Sequence, residues 1–256
     1  MARHGVFVTE QATSIGAPAV AATGVPFVIG TAPIQGAKNP APVGVPVRIT
    51  GWSEFRDRFG YSDDWDKYTL CEFAFAHFAL YGMQPVIFVN LLDPKTNKAP
   101  VAAADLDVAN HQVLLPAEAI DDALLVVRAA GGAGEAHTKG EDYEVMYTDA
   151  GCIIQLLPSG AAYAASKLNI SYTQVTPASI LPAAVATGME SIELCVTLLG
   201  LVPDMIVAPK FSEDQAVAAV MAAKAGGING MFASKALVDI PSGATGAKAY
   251  SEVLDY

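Results

Sequence analysis

Three cysteines, Cys71, Cys152 and Cys195, and four histidines, His4, His77, His111 and His137, are the side chains of this 256-residue sequence best able to act as nucleophiles, bases or metal ligands. A protein metal centre draws on such groups at close, repeated spacings, and no Cys, His or Asp pair here has ligand spacing. The cysteines are odd in number, far apart and flanked by apolar residues, the setting of buried, reduced thiols. His77 follows Phe73 by four positions on a helical stretch and reads as half-buried structure. His111 and His137 fall in or near hairpin loops. Asp63-Asp64-Trp65-Asp66 gathers carboxylates but lacks the glycine and terminal glutamate of a calcium loop, so a solvated turn is expected. Gly131-Gly132-Ala133-Gly134 is not followed by a helix, which makes it a turn and not a phosphate cradle. No Gly-x-Gly-x-x-Gly follows a strand, no phosphate loop ends in Gly-Lys-Ser/Thr, and no Gly-x-Ser-x-Gly elbow occurs. A serine or cysteine nucleophile needs a base in hydrogen-bond reach and a third group to orient it, and Pro177 to Tyr256 contains no histidine. The expectation is therefore no catalytic, cofactor-binding or metal-binding residue and no cofactor.

Composition narrows the class further. Hydrophobic residues make up 52% and charged residues 16%, below the roughly 25% charged share of an average soluble domain. Such a chain needs an extensive core or partner subunits to cover its apolar surface. The most apolar run, Ile192 to Val202, is broken by Glu193 and Gly200 and is too short to span a bilayer, and the N-terminus lacks the apolar centre of a signal peptide. A soluble protein made in the cytoplasm, without membrane insertion, is expected. The net charge of −11 comes with no basic cluster to neutralise phosphates, which argues against direct nucleic-acid binding. The Asn169-Ile170-Ser171 sequon is read as chance without secretion.

Alternating elements must hold these groups in place. Val25 to Gly30 and Pro85 to Leu91 have the continuous apolar pattern of central parallel strands. Val45 to Thr50 is another strand, and Ser53 to Phe59 a short helix closed by Gly60. Three capping boxes are read at Thr69–Glu72, Thr187–Glu190 and Ser212–Gln215. The first opens a helix carrying Phe73, Phe75 and Phe78 and stopping near Gly82, the second a helix ending at Gly200, and the third an alanine-rich helix ending at Gly226-Gly227. Asp204 to Ala208, Met231 to Ala233 and Leu237 to Ile240 are further strand candidates. Between Asp93-Pro94 and Pro177 the texture changes to short strands at 113–115, 124–127, 143–147, 152–156 and 168–172, separated by glycine-rich turns. The fold expected is α/β, a parallel-sheet domain interrupted by an all-β sandwich or barrel. Residues 1–23 form an N-terminal arm, 24–93 with 178–256 the discontinuous α/β domain, and 94–177 the insertion.

Several segments in order resemble contractile phage tail sheath proteins: His4-Gly5-Val6-Phe7-Val8-Thr9-Glu10, Phe27–Pro33, Phe55–Gly60, Val86–Asn90, Leu201–Pro209 and Ala236–Pro241. The resemblance implies a subtilisin-like sheath domain without protease catalytic residues and a β-sandwich insertion facing the particle exterior. It further implies a structural protein of the virion tail or contractile particle, assembled in the bacterial host cytoplasm. Its partners would be other sheath subunits in stacked hexameric rings, the inner tube protein, the baseplate and the tail terminator. The sheath would store energy in its extended state and contract to drive the tube through a target cell envelope. Val6, Phe7, Val8 and Thr9 would join a neighbouring subunit by strand addition. The family continues beyond a point like Tyr250–Tyr256 into a C-terminal domain, so a fragment or shortened variant is expected. A bacteriocin or secretion-type particle, an α/β hydrolase and a binding module built on the all-β segment are the alternative readings.

Overall fold

The computed structural model describes residues 24–241, 246–247 and 250–253, and within them the chain is a mixed α/β protein. Apolar β-branched and aromatic residues form β1 (Pro26–Gly30), whose five residues are all buried. A proline-rich loop leads to β2 (Val47–Ile49) and then to helix α1 (Trp52–Phe59), which ends where Gly60 takes a φ of 70°. Helix α2 (Thr69–Ala74) continues as a π-helical turn, Phe75–Leu80, and the chain re-enters the core as β3 (Val86–Asn90), again fully buried. Phe55, Phe59, Phe73 and Phe78 surround Phe88 at centroid separations of 4.9–6.3 Å, so α1 and α2 cover one face of the sheet with aromatic contacts.

The next strands are antiparallel. They are β4 (Lys98–Asp107), β5 (Gln112–Leu115), β6 (Ala119–Ile120), β7 (Val126–Ala129), β8 (Tyr143–Thr148), β9 (Gly151–Leu156) and β10 (Lys167–Val175). One sheet has the order β4-β10-β6 with β7 also on β10, and a second has the order β5-β9-β8. Val113, Leu115, Val127, Ile154, Leu168 and Ile170 fill their shared core. The segment leaves and returns at one place, because Lys98 pairs with Val175 and the Thr176 N–H donates to the Asn97 carbonyl at 2.9 Å. Strand β4 has no counterpart in the sequence reading. Its Val101-Ala102-Ala103-Ala104 run is poor in strand formers, and pairing along β10 overrides that preference.

Beyond β10 come α3 (Pro182–Gly188), α4 (Leu194–Leu199), β11 (Met205–Val207), α5 (Gln215–Ala225) and β12 (Lys235–Leu237). The main sheet has the order β12-β11-β1-β3-β2, parallel except for the antiparallel edge strand β2. Pro182 opens α3 at its first turn, a place proline favours. The helix thus starts before Thr187, whose hydroxyl donates to the Ala183 carbonyl inside the helix instead of capping it. One helical run, Pro182–Leu199, has the length and mean hydropathy, 1.3, of a membrane span, which the sequence reading did not anticipate. A 3-10 stretch, Met189–Glu193, interrupts it, and Val185, Met189, Ile192 and Cys195 lie in the core. Glu190 and Glu193 on the same run are both held by Lys224 at 2.6 Å.

Two other expected caps are also replaced. Thr69 is buried, and the first α2 amides are satisfied from outside the helix: the Thr69 N–H donates to Thr31 Oγ1 at 3.2 Å and the Leu70 N–H to the Thr31 carbonyl at 3.0 Å. At α5 the cap is Asp214, which accepts from the Ala216 and Val217 amides, while Ser212 is turned inward. Met231 to Ala233 is not a strand, since Phe232 makes only a bridge to Ile228 across a turn, and β12 begins at Lys235.

Gly30 is where α2 comes closest to the sheet, and a Cβ there would lie 2.2 Å from Thr69 Oγ1. Gly30→Ala is expected to destabilise the protein by about 1–3 kcal/mol. In urea unfolding, the Gly30→Ala/Thr69→Ala double variant should lose less than the sum of the two single changes. Strict additivity would refute this account of the glycine.

Candidate functional site

In an open α/β sheet the natural place for a ligand is the crevice at the carboxyl ends of the strands where the strand order reverses. Here the chain passes from β1 to β3 on one side and later to β11 on the other, so that point lies between β1 and β11. The residues that follow these strands are Thr31 after β1, Leu91 after β3, Pro209-Lys210 after β11 and Asp239 near the end of β12.

Most polar groups at these ends are engaged in holding backbone. The Thr31 N–H donates to Thr69 Oγ1 at 3.2 Å, and the Thr31 hydroxyl donates to the Lys67 carbonyl at 2.8 Å. Asn90, fully buried, accepts from the Ala32 and Leu92 amides through Oδ1 and donates to the Leu92 carbonyl through Nδ2. The Ser212 hydroxyl donates to Asp239 Oδ2 at 2.9 Å and accepts the Asp239 N–H at 2.8 Å. The serine and Asp239 thus form a closed pair of hydrogen bonds that fixes the loop after β12 against the one after β11. Lys210 has a φ of 68°, uncommon for a residue with a Cβ. Its N–H donates to Asp239 Oδ2 at 2.8 Å and its Nζ to Asp66 Oδ1 at 2.9 Å. The lysine hydrogen bond and charge hold the Asp66 carboxyl below the usual range.

The Asp66–Lys210 pair separates two hollows. On one side is a cavity of about 510 Å³ bordered by Ile180, Pro182, Phe211 and Lys67. On the other is an open groove of about 980 Å³ between Trp65, Phe73, Val207 and Leu237. Lys67 also reaches out of the sheet to Glu118 at 2.7 Å. With Arg56–Asp149 at 2.5 Å and Gln35 Nε2 donating to the Ala117 carbonyl at 2.8 Å, it ties the α/β part to the antiparallel sheets. Gly36 lets the Tyr147 ring close in, to 2.9 Å from where a Cβ would stand.

The sequence-derived candidates take separate places. Val6, Phe7, Val8 and Thr9 lie outside the described residues. His77 stacks on Phe73 at 4.0 Å, and burial keeps its pKa below the ordinary value. His111 stacks on Tyr163, and His137 faces Asp142 at 3.6 Å. Asp63 accepts from the Tyr61 hydroxyl, Asp64 pairs with Lys67 and Asp66 with Lys210. Gly131, Gly132 and Gly134 take positive φ in a turn whose Gly131 N–H donates to Asp105. Among the described residues, no three His, Cys, Asp or Glu side chains converge to hold a metal ion. Thr31, Lys210 and Asp239 have no signature in the sequence, because their partners are remote along the chain.

No protein-family model matches the sequence. A curated tail sheath protein of Burkholderia phage BcepMu is 29% identical over 259 aligned residues, which take in 96% of this chain and 50% of that protein. The chain is similar to a phage tail sheath protein. It spans about half the length of the curated relative it matches. The likeness runs through nearly the whole chain, so it embraces both the parallel-sheet segments and the antiparallel strands between them.

The three cysteines are buried, and burial pushes each thiol up to about 12. Since the thiolate is the reactive form, none should react with an aromatic disulfide reagent at pH 8 in the folded protein, and all three should react after unfolding. Rapid labelling of any one in the native state would contradict their placement.

Proposed function

We propose that this chain is a structural subunit of a contractile tail sheath, polymerising around an inner tube in a virion tail or related particle. The observation that carries this reading is the likeness to a tail sheath protein along 96% of the chain. The crevice is compatible with it, since the polar groups of Thr31, Asn90, Ser212 and Asp239 at the strand ends brace loops. Leu80, Tyr81 and Met83 are exposed and close together in sequence, an apolar spot of the kind a neighbouring subunit would cover. The partners on this reading are further sheath subunits, the tube protein, the baseplate and the terminator, and the work done is contraction against a cell envelope.

Within this reading, Val6 to Thr9 join a sheet edge of a neighbouring subunit. Four to six main-chain hydrogen bonds, each net about 0.5–1.5 kcal/mol, would give a few kcal/mol per link. Repeated around and between rings, links of that size hold a lattice while letting subunits reorient. Removing residues 2–23 from the gene product should leave folded subunits that fail to form sheaths in negative-stain micrographs. Normal contractile sheaths without the arm would refute the link.

Residues 94–177 are proposed as an insertion domain on the outer surface. Because Asn97 and Thr176 are hydrogen-bonded neighbours, a short bridge between them leaves the α/β path intact. The shortened protein should stay folded but lose stability, since Ile120 and Val175 help cover the main core and Glu118 holds Lys67. An insoluble remainder without cooperative unfolding would count against the division.

A further inference from the structure

The open groove beyond the Asp66–Lys210 pair combines apolar walls with a surplus of carboxylates. Its walls offer Trp65, Phe73, Leu237 and Ile240, and its lining holds six carboxylates against the single lysine Lys210. Lys210 is bound to Asp66, and counting Lys67, which holds Asp64, still leaves an acidic surplus. Glu72 and Glu213, both exposed, form no ion pair among the described residues. Leu237 is 48% exposed and Ile240 36%. An occupant that fits has an apolar stretch next to positive charge and no acid of its own.

The chain contains such a segment. Arg3-His4-Gly5-Val6-Phe7-Val8 joins a basic head to an apolar run, and no acidic residue precedes Glu10, in a chain whose net charge is −11. Its tether is also long enough. The N-terminal end of β1 is fixed where the Val25 N–H donates to Asp204 Oδ2 at 2.9 Å, and the groove opens past the other end of that five-residue strand, about 17 Å away at roughly 3.3 Å per residue. Residues 9–24 could reach at most about 55 Å when fully extended, more than the separation to be spanned. A tether able to reach its site gives an effective concentration of up to the millimolar range. That exceeds what a second copy supplies in a micromolar solution.

We propose that Arg3 to Val8 dock in this groove of their own chain, with Arg3 toward Glu72 and Glu213 and the apolar run against Trp65, Phe73, Leu237 and Ile240. The docking does not rest on the sheath reading. If both hold, a segment seated in its own groove is not at the same time available to a neighbour.

The test uses the full chain with Val6→Cys paired with Leu237→Cys, or with Ile240→Cys as a second position, the native thiols being buried. Val6→Cys with Met83→Cys, an exposed position just before β3, serves as the control at the opposite end of the strands. At micromolar protein the groove pair should form an intramolecular disulfide roughly tenfold faster than the control. Adding Arg3→Glu, or raising salt to about 0.5 M, should remove most of that advantage. Equal rates for the groove and control pairs, or disulfides found only between molecules, would overturn the proposal. Loss of sheath assembly on removing the arm bears on the functional reading and leaves this result untouched.

Discussion

At the end of β1 a single residue, Thr31, makes four hydrogen bonds to the start of α2. Its N–H meets Thr69 Oγ1, its hydroxyl donates to the Lys67 carbonyl and accepts the Thr69 N–H, and its carbonyl accepts the Leu70 N–H. At a net of about 0.5–1.5 kcal/mol each, these contacts are comparable with a large share of the roughly 5–15 kcal/mol by which a domain is stable. They set the angle at which α2 leaves the sheet, and with it the seating of Phe73 and Phe78 on Phe88. They also fix the loop before α2, which carries Asp66 to Lys210 and Lys67 to Glu118. The crevice and the junction with the antiparallel sheets thus both hang on one threonine, and Gly30 keeps the space beside it clear.

The ion pairs around that crevice act by position more than by energy. Asp66–Lys210 and Arg56–Asp149 are exposed to water, where such pairs add little to stability. Their effect is to choose among loop conformations that would otherwise be close in energy. Lys210 illustrates this, since an unusual backbone angle is held by bonds from both its amide and its side chain. By contrast Asn90 and Thr69 are buried, and leaving one of their partners unsatisfied would cost about 1–3 kcal/mol.

The sequence was legible where structure follows from local pattern. The apolar runs at Pro26–Gly30 and Val86–Asn90 and the strands near 112–115, 143–148 and 151–156 are found where side-chain type and turn residues place them. It misled where a local motif had a remote competitor. Thr69 and Ser212 have the residue types of helix caps, yet Thr31 and Asp239 take their hydroxyls. Thr187 lost its role because Pro182 had already opened the helix. Strand β4 escaped notice because its alanines favour a helix in isolation and only β10 makes them a strand. The groove was invisible for a simpler reason. Its walls come from residues 63–77, 207–213 and 237–240, and only the sheet order brings these together.

The zippered base of the antiparallel segment has a consequence for how the chain folds. To pair β1 with β11, the polypeptide must close a loop that contains the whole of β4 to β10. Once β4 and β10 have paired, the two ends of that segment are neighbours, and the remaining path from β3 to β11 is roughly a third of its former length. Shortening a loop threefold lowers its closure entropy by about 1 kcal/mol. The central sheet therefore gains from waiting, and the order of events favoured by chain entropy is that the later, more distant strands join a scaffold already tied off at Asn97 and Thr176.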